Sequence, residues 1–213
     1  METLQEQLKV IERAGRTCYQ SYRGKEITLE SARKFIEMVL KRGHESVIEH
    51  SSMTVRFSGI SRGMTHELVR HRLCAFSQES TRYVDKKGFN IVVPPGKSEA
   101  DDLEFEDGSL VGYVSELVNS YKRVYKTLRM CGWKPEDARQ FLPIGMQNEI
   151  VVTANFREWR HIFKMRTARP AHWEIRREMT ILLKSIQSDL SPVFDCFEYE
   201  GVCPKGIPYY NVF

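Results

Sequence analysis

The sequence of 213 residues lacks the features that would indicate several common classes of protein. Its five cysteines are odd in number and widely spaced, and no Cys-x-x-Cys pair occurs, so neither a zinc knuckle nor a disulfide framework is indicated. It has no signal-peptide core and no apolar run long enough to span a bilayer, so we expect no membrane partner. These absences predict a cytoplasmic protein with reduced thiols.

The glycine-rich motifs of many nucleotide-binding proteins are also absent. Neither Gly-x-Gly-x-x-Gly nor the Walker glycines occur, which disfavours a Rossmann or P-loop site. Arginines and hydroxyl groups would therefore have to hold any dinucleotide. Positive charge is modest as well: 32 Lys and Arg against 28 Asp and Glu leave a net charge of +4. We expect a denser basic face in a protein that binds nucleic acid.

The most unusual feature that is present is the segment 70–83. It places three arginines, a histidine and four hydroxyl side chains within fourteen residues. Like charge is rarely crowded this way unless an anion compensates it. The guanidinium group presents a rigid fork of donors to phosphate, and serine and threonine hydroxyls bind the same oxygens. The segment therefore predicts an anion site, most simply a phosphate site.

The spacing within this segment carries a family resemblance. Arg70-His71-Arg72, then seven residues, then Ser80, with Arg82 two further on, resembles the signature of flavin-dependent thymidylate synthases, the ThyX family. Supporting blocks lie elsewhere, and together they span roughly residues 14 to 175. They are Ala14–Tyr19, His44–His50, Ala138–Pro143, Asn155-x-Arg157, and Arg166 before Ala168-x-x-Ala171-His172-x-Glu174-Ile175.

The resemblance implies a role for individual residues at these positions. It implies that FAD is bound by His44, Ser46, Arg70, His71, Arg72, Gln78, Asn155, Arg157 and His161. It implies that dUMP is bound by Glu67, Arg70, Gln78, Glu79, Ser80, Thr81, Arg82, Arg139 and Arg166. Arg166 is the predicted catalytic residue, because a preorganised charge can stabilise negative charge on the uracil ring.

The implied reaction is the reductive methylation of dUMP to dTMP. The carbon comes from 5,10-methylenetetrahydrofolate, and NADPH supplies the reducing equivalents through FAD. We expect no cysteine nucleophile, since no cysteine is placed beside a histidine base and Cys74 falls at an unspecified signature position. Ser80 as a nucleophile likewise has no adjacent base. The implied assembly is a homotetramer with shared active sites.

Several alternatives stay open. The family often has glutamine at position 67, so glutamate there puts a uracil contact in doubt, and Glu67 can instead pair with Arg70 on a helix. His44 and His50 are six residues apart, unlike a helical zinc pair, so we predict no metal site. Two other functions remain possible: a related flavin enzyme that hydroxymethylates pyrimidine C5, and, with less support, a nucleic-acid-binding protein that uses the basic segment.

The fold implied by the resemblance is α+β, with a central, mostly antiparallel sheet flanked by helical parts. We expect a single domain over residues 1–213. Periodicity predicts strands over Ser52–Ile60 and Gln147–Ala154, and helices over Met64–Leu73, 110–131 and Trp173–Ser188. Thr28 and Asn155 are predicted to cap two more helices, which run to about Arg42 and Arg166. The segment 14–19 interrupts the first helical pattern, and residues 195–213 read as mixed aromatic loop.

Overall fold

The computed structural model describes residues 4–104 and 110–212. Its helices are α1 (Leu4–Thr17), α2 (Leu29–Lys41), α3 (Arg62–Leu68), α4 (Val114–Met130), α5 (Pro135–Ala138), α6 (Phe156–Arg166) and α7 (Trp173–Ile186). Its strands are β1 (Ser52–Ser61), β2 (Ala75–Gln78), β3 (Asp102–Glu104), β4 (Leu110–Tyr113), β5 (Gln147–Asn155), β6 (Phe197–Val202) and β7 (Pro208–Val212). Short 3-10 helices cover Glu45–His50 and Arg139–Phe141.

The fold class is the predicted one, a mixture of helices and strands with antiparallel pairing. A three-stranded sheet has the order β1-β5-β2, and β3-β4 and β6-β7 form separate antiparallel pairs. The chain divides into two compact units: residues 1–55, 71–75 and 152–213 form the first, and residues 56–70 and 76–151 form the second. No helix in the part of the chain that the structure describes is long and apolar enough to cross a membrane.

The core of the first unit is aromatic. Trp159 and Phe163 of α6 are fully buried and stacked, with ring centroids 5.8 Å apart, and Phe194 meets Phe163 edge to face at 5.5 Å. The indole N–H of Trp159 donates to the carbonyl of Met53 at 3.0 Å, so this large side chain is buried with its donor satisfied. Helix α6 is thereby fixed along its buried face.

Two helix starts follow from their capping residues as predicted. The Thr28 hydroxyl accepts a hydrogen bond from the backbone N–H of Ser31, and the Ser31 hydroxyl accepts one from the backbone N–H of Thr28. These two bonds form a complete capping box for α2. Asn155 accepts from the backbone N–H of Glu158 at 2.9 Å and starts α6. The strands over Ser52–Ser61 and Gln147–Asn155 also agree with the predicted ones.

Four sequence-based predictions of local structure are wrong. Helix α3 ends at Leu68, so Leu73, which is 77% exposed, does not extend its apolar side. Residues 110–113 form strand β4, and α4 begins only at Val114. Helix α1 continues through Gly15 to Thr17, and the ring of Phe35 packs where a side chain at Gly15 would lie. The C-terminal segment pairs as the β6-β7 hairpin.

Candidate active site

The candidate site in the first unit is built around His71, a buried histidine of the signature segment. This residue is 6% exposed, and its Nε2 accepts a hydrogen bond from Nε of Arg166 at 3.0 Å. Because Nε2 is the acceptor, the neutral imidazole carries its proton on Nδ1, which lies 3.6 Å from Oε1 of Glu158. Arg166, His71 and Glu158 therefore form a line of three polar side chains.

Burial decides the charge on this line. It lowers the pKa of His71 to about 4, and the nearby Arg166 and His161 side chains act in the same direction. Burial also raises the pKa of the Glu158 carboxyl, against the opposing effect of His161. His71 is therefore neutral near pH 7 and serves as an acceptor for Arg166 rather than as a second cation.

Helix α6 positions both the arginine and the carboxylate of this line. Phe156, Trp159 and Phe163 are fully buried along one side, so the helix cannot rotate without exposing them. Arg166 occupies the last turn of the helix on the continuation of that side. Its guanidinium is therefore held both by the packing of α6 and by the hydrogen bond to His71.

A cavity of about 720 Å³ opens beside this line, within the size range of small-molecule and cofactor sites. Three cationic side chains line it, and two of them are paired: Arg157 with Glu49 at 2.5 Å and Arg160 with Glu45 at 3.1 Å. Three predicted cofactor residues meet here. The lining includes Glu45, Glu49, Leu73, Asn155, Arg157, Glu158, Arg160, His161, Lys164, Cys196 and Phe197.

Two further predicted flavin residues, His44 and Ser46, do not line this cavity. His44 and Ser46 line a second cavity of about 700 Å³, together with Tyr19, Phe35, Met38 and Val47. The turn at 44–49 thus faces both cavities, since Glu45 and Glu49 line the first. The structure does not bring His44 and Ser46 into the cavity that holds Asn155 and Arg157.

The second unit carries a smaller arginine-lined cavity of about 420 Å³. Of the predicted nucleotide residues, Thr81 and Arg139 line it, with Nη1 of Arg139 3.5 Å from the Thr81 hydroxyl. Thr81 is 3% exposed, and Nε of Arg139 donates to the carbonyl of Glu136 at 3.1 Å. The two residues are consequently held in place before any ligand binds.

Arg62 also lines this cavity, and sequence reasoning missed it. Its Nη1 is buried without a hydrogen-bond partner among the described residues. Burial lowers the pKa of Arg62, and the nearby charge of Arg139 adds to that effect. Two guanidinium groups facing one small cavity, one with an unsatisfied donor, fit an anion. The only sequence signal is an arginine two residues after the predicted strand Ser52–Ile60.

The remaining predicted residues are more dispersed. Arg82 is exposed and paired with Glu136 at 3.1 Å, and the hydroxyl of Ser80 accepts the backbone N–H of Arg82 at 3.3 Å. Arg70 and Arg72 are both exposed and lie beyond the end of α3, on which Glu67 is half-buried. Arg70 and Arg72 therefore do not lie on the predicted helix Met64–Leu73, because α3 ends at Leu68.

Gln78 and Glu79 belong to a polar network of the second unit. The side-chain amide of Gln78 donates to Thr65 and Asn148, and the carboxylate of Glu79 accepts from Lys86. This arrangement was not anticipated from the sequence.

The Cys74 thiol lies beside the site but is not activated. Burial, with the charge of Glu158, raises the pKa of the Cys74 thiol to about 11, which keeps it protonated and a poor nucleophile. Within residues 4–104 and 110–212, no three His, Cys, Asp or Glu side chains gather as a metal ion would require.

The fold and the site define the class of this protein: an α+β protein whose arginine-lined cavities suit phosphorylated ligands. The chain belongs to the family described as thymidylate synthase complementing protein, which residues 1–192 match. It is 36% identical over 198 residues to a protein of Mycobacterium bovis, covering 89% of this chain and 79% of that one. It is 37% identical over 192 residues to one of Nitratidesulfovibrio vulgaris, covering 85% and 76%. Both relatives are named flavin-dependent thymidylate synthase.

A solved structure shows the same fold. Thymidylate synthase X from Helicobacter pylori, solved with FAD and dUMP, superimposes with a TM-score of 0.65 at 21% identity, covering 88% of this chain and 92% of that one. The family resemblance drawn from the segment 70–83 is therefore confirmed.

Proposed function

We propose that this chain is a flavin-dependent thymidylate synthase, which converts dUMP to dTMP by reductive methylation at C5. Family membership and the names of the relatives support this function. The cofactor is FAD, and the co-substrates are 5,10-methylenetetrahydrofolate and NADPH. Both main ligands are nucleotides, which agrees with the arginine-lined cavities.

The observation that carries the site assignment is the hydrogen bond from Arg166 to His71. It joins the segment 70–83 to the block that begins at Arg166, across 95 residues of the chain. Two motifs that the sequence could only present separately therefore act as one polar cluster. A buried, neutral histidine that accepts from an arginine orients the guanidinium without neutralising it.

The donors of the 720 Å³ cavity support a dinucleotide diphosphate there, in a lining that also holds the carboxylates of Glu45, Glu49 and Glu158. Asn155, Arg157, His161 and Lys164 offer amide, guanidinium, imidazole and ammonium donors there. We assign FAD to these residues together with His71, and to Arg70, Arg72 and Gln78 by family resemblance. His44 and Ser46 would contribute through the second cavity. Bound by these residues, FAD would supply the hydride-transfer chemistry that links NADPH to the one-carbon unit.

The small cavity of the second unit is our choice for the phosphate of dUMP. Arg62, Thr81 and Arg139 line it, and the unsatisfied Nη1 of Arg62 supports an anionic occupant. Ser80 and Arg82 follow Gln78 and Glu79 on the same segment and would extend the contact. Glu67 remains a proposed substrate contact by position.

Arg166 supplies the electrostatic contribution to the reaction. Carbon C5 of uracil is a weak nucleophile, and its attack becomes easier when negative charge on the ring is stabilised. A guanidinium held at 3.0 Å by His71 needs little reorganisation to do so. Glu158, in turn, stays close to the protonated Nδ1 of His71 and helps to hold the tautomer.

We also propose a homotetramer with shared active sites and a cytoplasmic location. Helix α4 supports the assembly: Leu117, Tyr121 and Val124 share one side of it and are 49%, 38% and 42% exposed. The five free cysteines agree with a reducing compartment. Light scattering of the purified protein measures the assembly directly, and a monomer at working concentration would refute it.

The function is tested by the mass of the nucleotide product. The protein is incubated without oxygen with dUMP, methylenetetrahydrofolate, FAD and NADPH. A product heavier by one methyl group, formed only when FAD is present, is the expected result. A hydroxymethyl product would keep the nucleotide site and change the reaction. Unchanged dUMP with a protein that does not take up FAD would overturn the proposal.

A further inference from the structure

The starting point is a chain of four polar side chains in the second unit. Nζ of Lys86 donates to Oε1 of Glu79 at 2.5 Å. Nδ2 of Asn148 donates to Oε2 of Glu79 at 3.4 Å, and Oδ1 of Asn148 accepts from Nε2 of Gln78 at 3.0 Å. Asn148 is only 2% exposed, so its hydrogen bonds cannot be exchanged for bonds to bulk water.

The chemistry of each group fixes the direction of the next. An ammonium only donates and a carboxylate only accepts, so the charge pair at Lys86 and Glu79 obliges Asn148 to present its NH₂ to Glu79. The carbonyl oxygen of Asn148 must then face Gln78. Gln78 can donate a hydrogen bond to this oxygen only through its own NH₂ group. The orientation of the Gln78 amide is thus set by a charge pair two side chains away.

Thr65 imposes the same orientation independently. Its hydroxyl donates to the carbonyl of Arg62 at 2.9 Å, so its oxygen is left to accept from Nε2 of Gln78 at 2.7 Å. Thr65 is fully buried. Both amide hydrogens of Gln78 therefore have inward acceptors, and the inward group is its NH₂.

We propose that Thr65 and Asn148, backed by Glu79 and Lys86, are positioning residues that hold Gln78 with its carbonyl oxygen directed to ligand, as an acceptor for an imide N–H. The proposal rests on the proposed function, because both of its nucleotides carry such a group. The N3–H of uracil lies between two carbonyls, and so does the N3–H of the isoalloxazine ring. Cytosine has a bare acceptor at N3, which a fixed carbonyl oxygen repels.

The test uses the FAD-loaded enzyme and variants that remove one inward acceptor each, Asn148→Ala and Thr65→Val. Two readouts distinguish the two imides. The ratio of dissociation constants for dCMP and dUMP, measured by displacement, reports on uracil. The pH at which the bound flavin loses its N3 proton, followed by absorbance, reports on the flavin. Loss of one hydrogen bond that fixes the amide should change the affected readout by about two- to tenfold.

A swapped pair provides a rescue. In Glu79→Gln/Asn148→Asp the new glutamine accepts from Lys86 and donates to the new carboxylate, which still accepts from Gln78, and the total charge is unchanged. This double variant should move the readout from the value of Asn148→Ala back towards that of wild type, and Glu79→Gln alone measures any direct contact of Glu79 with the nucleotide. Gln187→Ala is the matched control, because Gln187 is also an amide held by two acceptors, the carbonyls of Phe194 and Phe197. It should lower thermal stability without moving either readout.

A fall in the dCMP-to-dUMP ratio, restored by the swapped pair, assigns Gln78 to uracil. If the bound flavin loses its N3 proton at a lower pH, and the swapped pair restores the wild-type pH, Gln78 is assigned to the flavin. If neither readout moves in Asn148→Ala and Thr65→Val, or if Gln187→Ala moves it equally, the proposal is overturned. Failure of the proposed function is seen separately, since it would leave wild type without dTMP as product.

Discussion

Replacing Arg166 by alanine should lower kcat more than it lowers ligand binding. The variant loses a half-buried charge held at 3.0 Å from Nε2 of His71. Removing one preorganised donor from a developing anion typically costs about 2.7–4 kcal/mol, or about 10² to 10³ in kcat. Arg166→Lys keeps the charge but not the planar fork bonded to His71, so a loss of about tenfold is expected.

The measurement is anaerobic dTMP formation, with flavin absorbance as a check that FAD is still bound. Arg169→Ala is the matched control, since that arginine is exposed, three residues away, and lies 5.9 Å from the ring centroid of Tyr209. It should turn over normally. An Arg166→Ala enzyme that retains flavin and works within twofold of wild type would refute the role given to this residue.

Three other variants test the electrostatics of the site. The pKa of His71 is about 4 in the folded protein and 6.5 in the unfolded chain, so between these pH values only the unfolded state takes up this proton. The free energy of unfolding should therefore fall by up to about 3 kcal/mol from pH 6.5 to pH 4. In urea titrations, His71→Gln should make this dependence on pH less steep. Arg62→Met should weaken dUMP binding by tenfold or more in calorimetry while leaving the melting temperature equal or higher, because a buried unpaired donor is removed; undiminished affinity would exclude Arg62 from the phosphate site. Cys74→Ala should keep kcat within twofold, since a thiol with a pKa of about 11 is not a nucleophile at pH 7, and a large loss would contradict this.

Capping and periodicity were sufficient for the elements that carry their own signals. Thr28 and Asn155 mark the starts of α2 and α6 because a side-chain acceptor at the N-cap is a local requirement of the helix. The alternating strand over 52–61 was equally clear, because Met53 and Phe57 are buried on one face. These predictions depend only on neighbouring residues.

Features that depend on distant residues were not predictable. The end of α3 at Leu68 has no glycine or proline to announce it, so periodicity alone carried the prediction too far. The buried donor of Arg62 and the network around Asn148 arise from residues tens of positions apart in the chain. Family resemblance named Gln78 and Arg139, but it could not indicate what surrounds them.

The 3-10 helix over Glu45–His50 and its N-cap residue His44 lie between two cavities. Glu45 and Glu49 face the cavity that Asn155 and Arg157 line, whereas His44 and Ser46 face the other. A single turn of backbone therefore carries two linings, and a substitution that shifts one displaces the other. A substitution that adapts one cavity to a new ligand must therefore also preserve the lining of the other cavity. An inhibitor that binds in one cavity should accordingly select for resistance substitutions that also weaken ligand binding in the other.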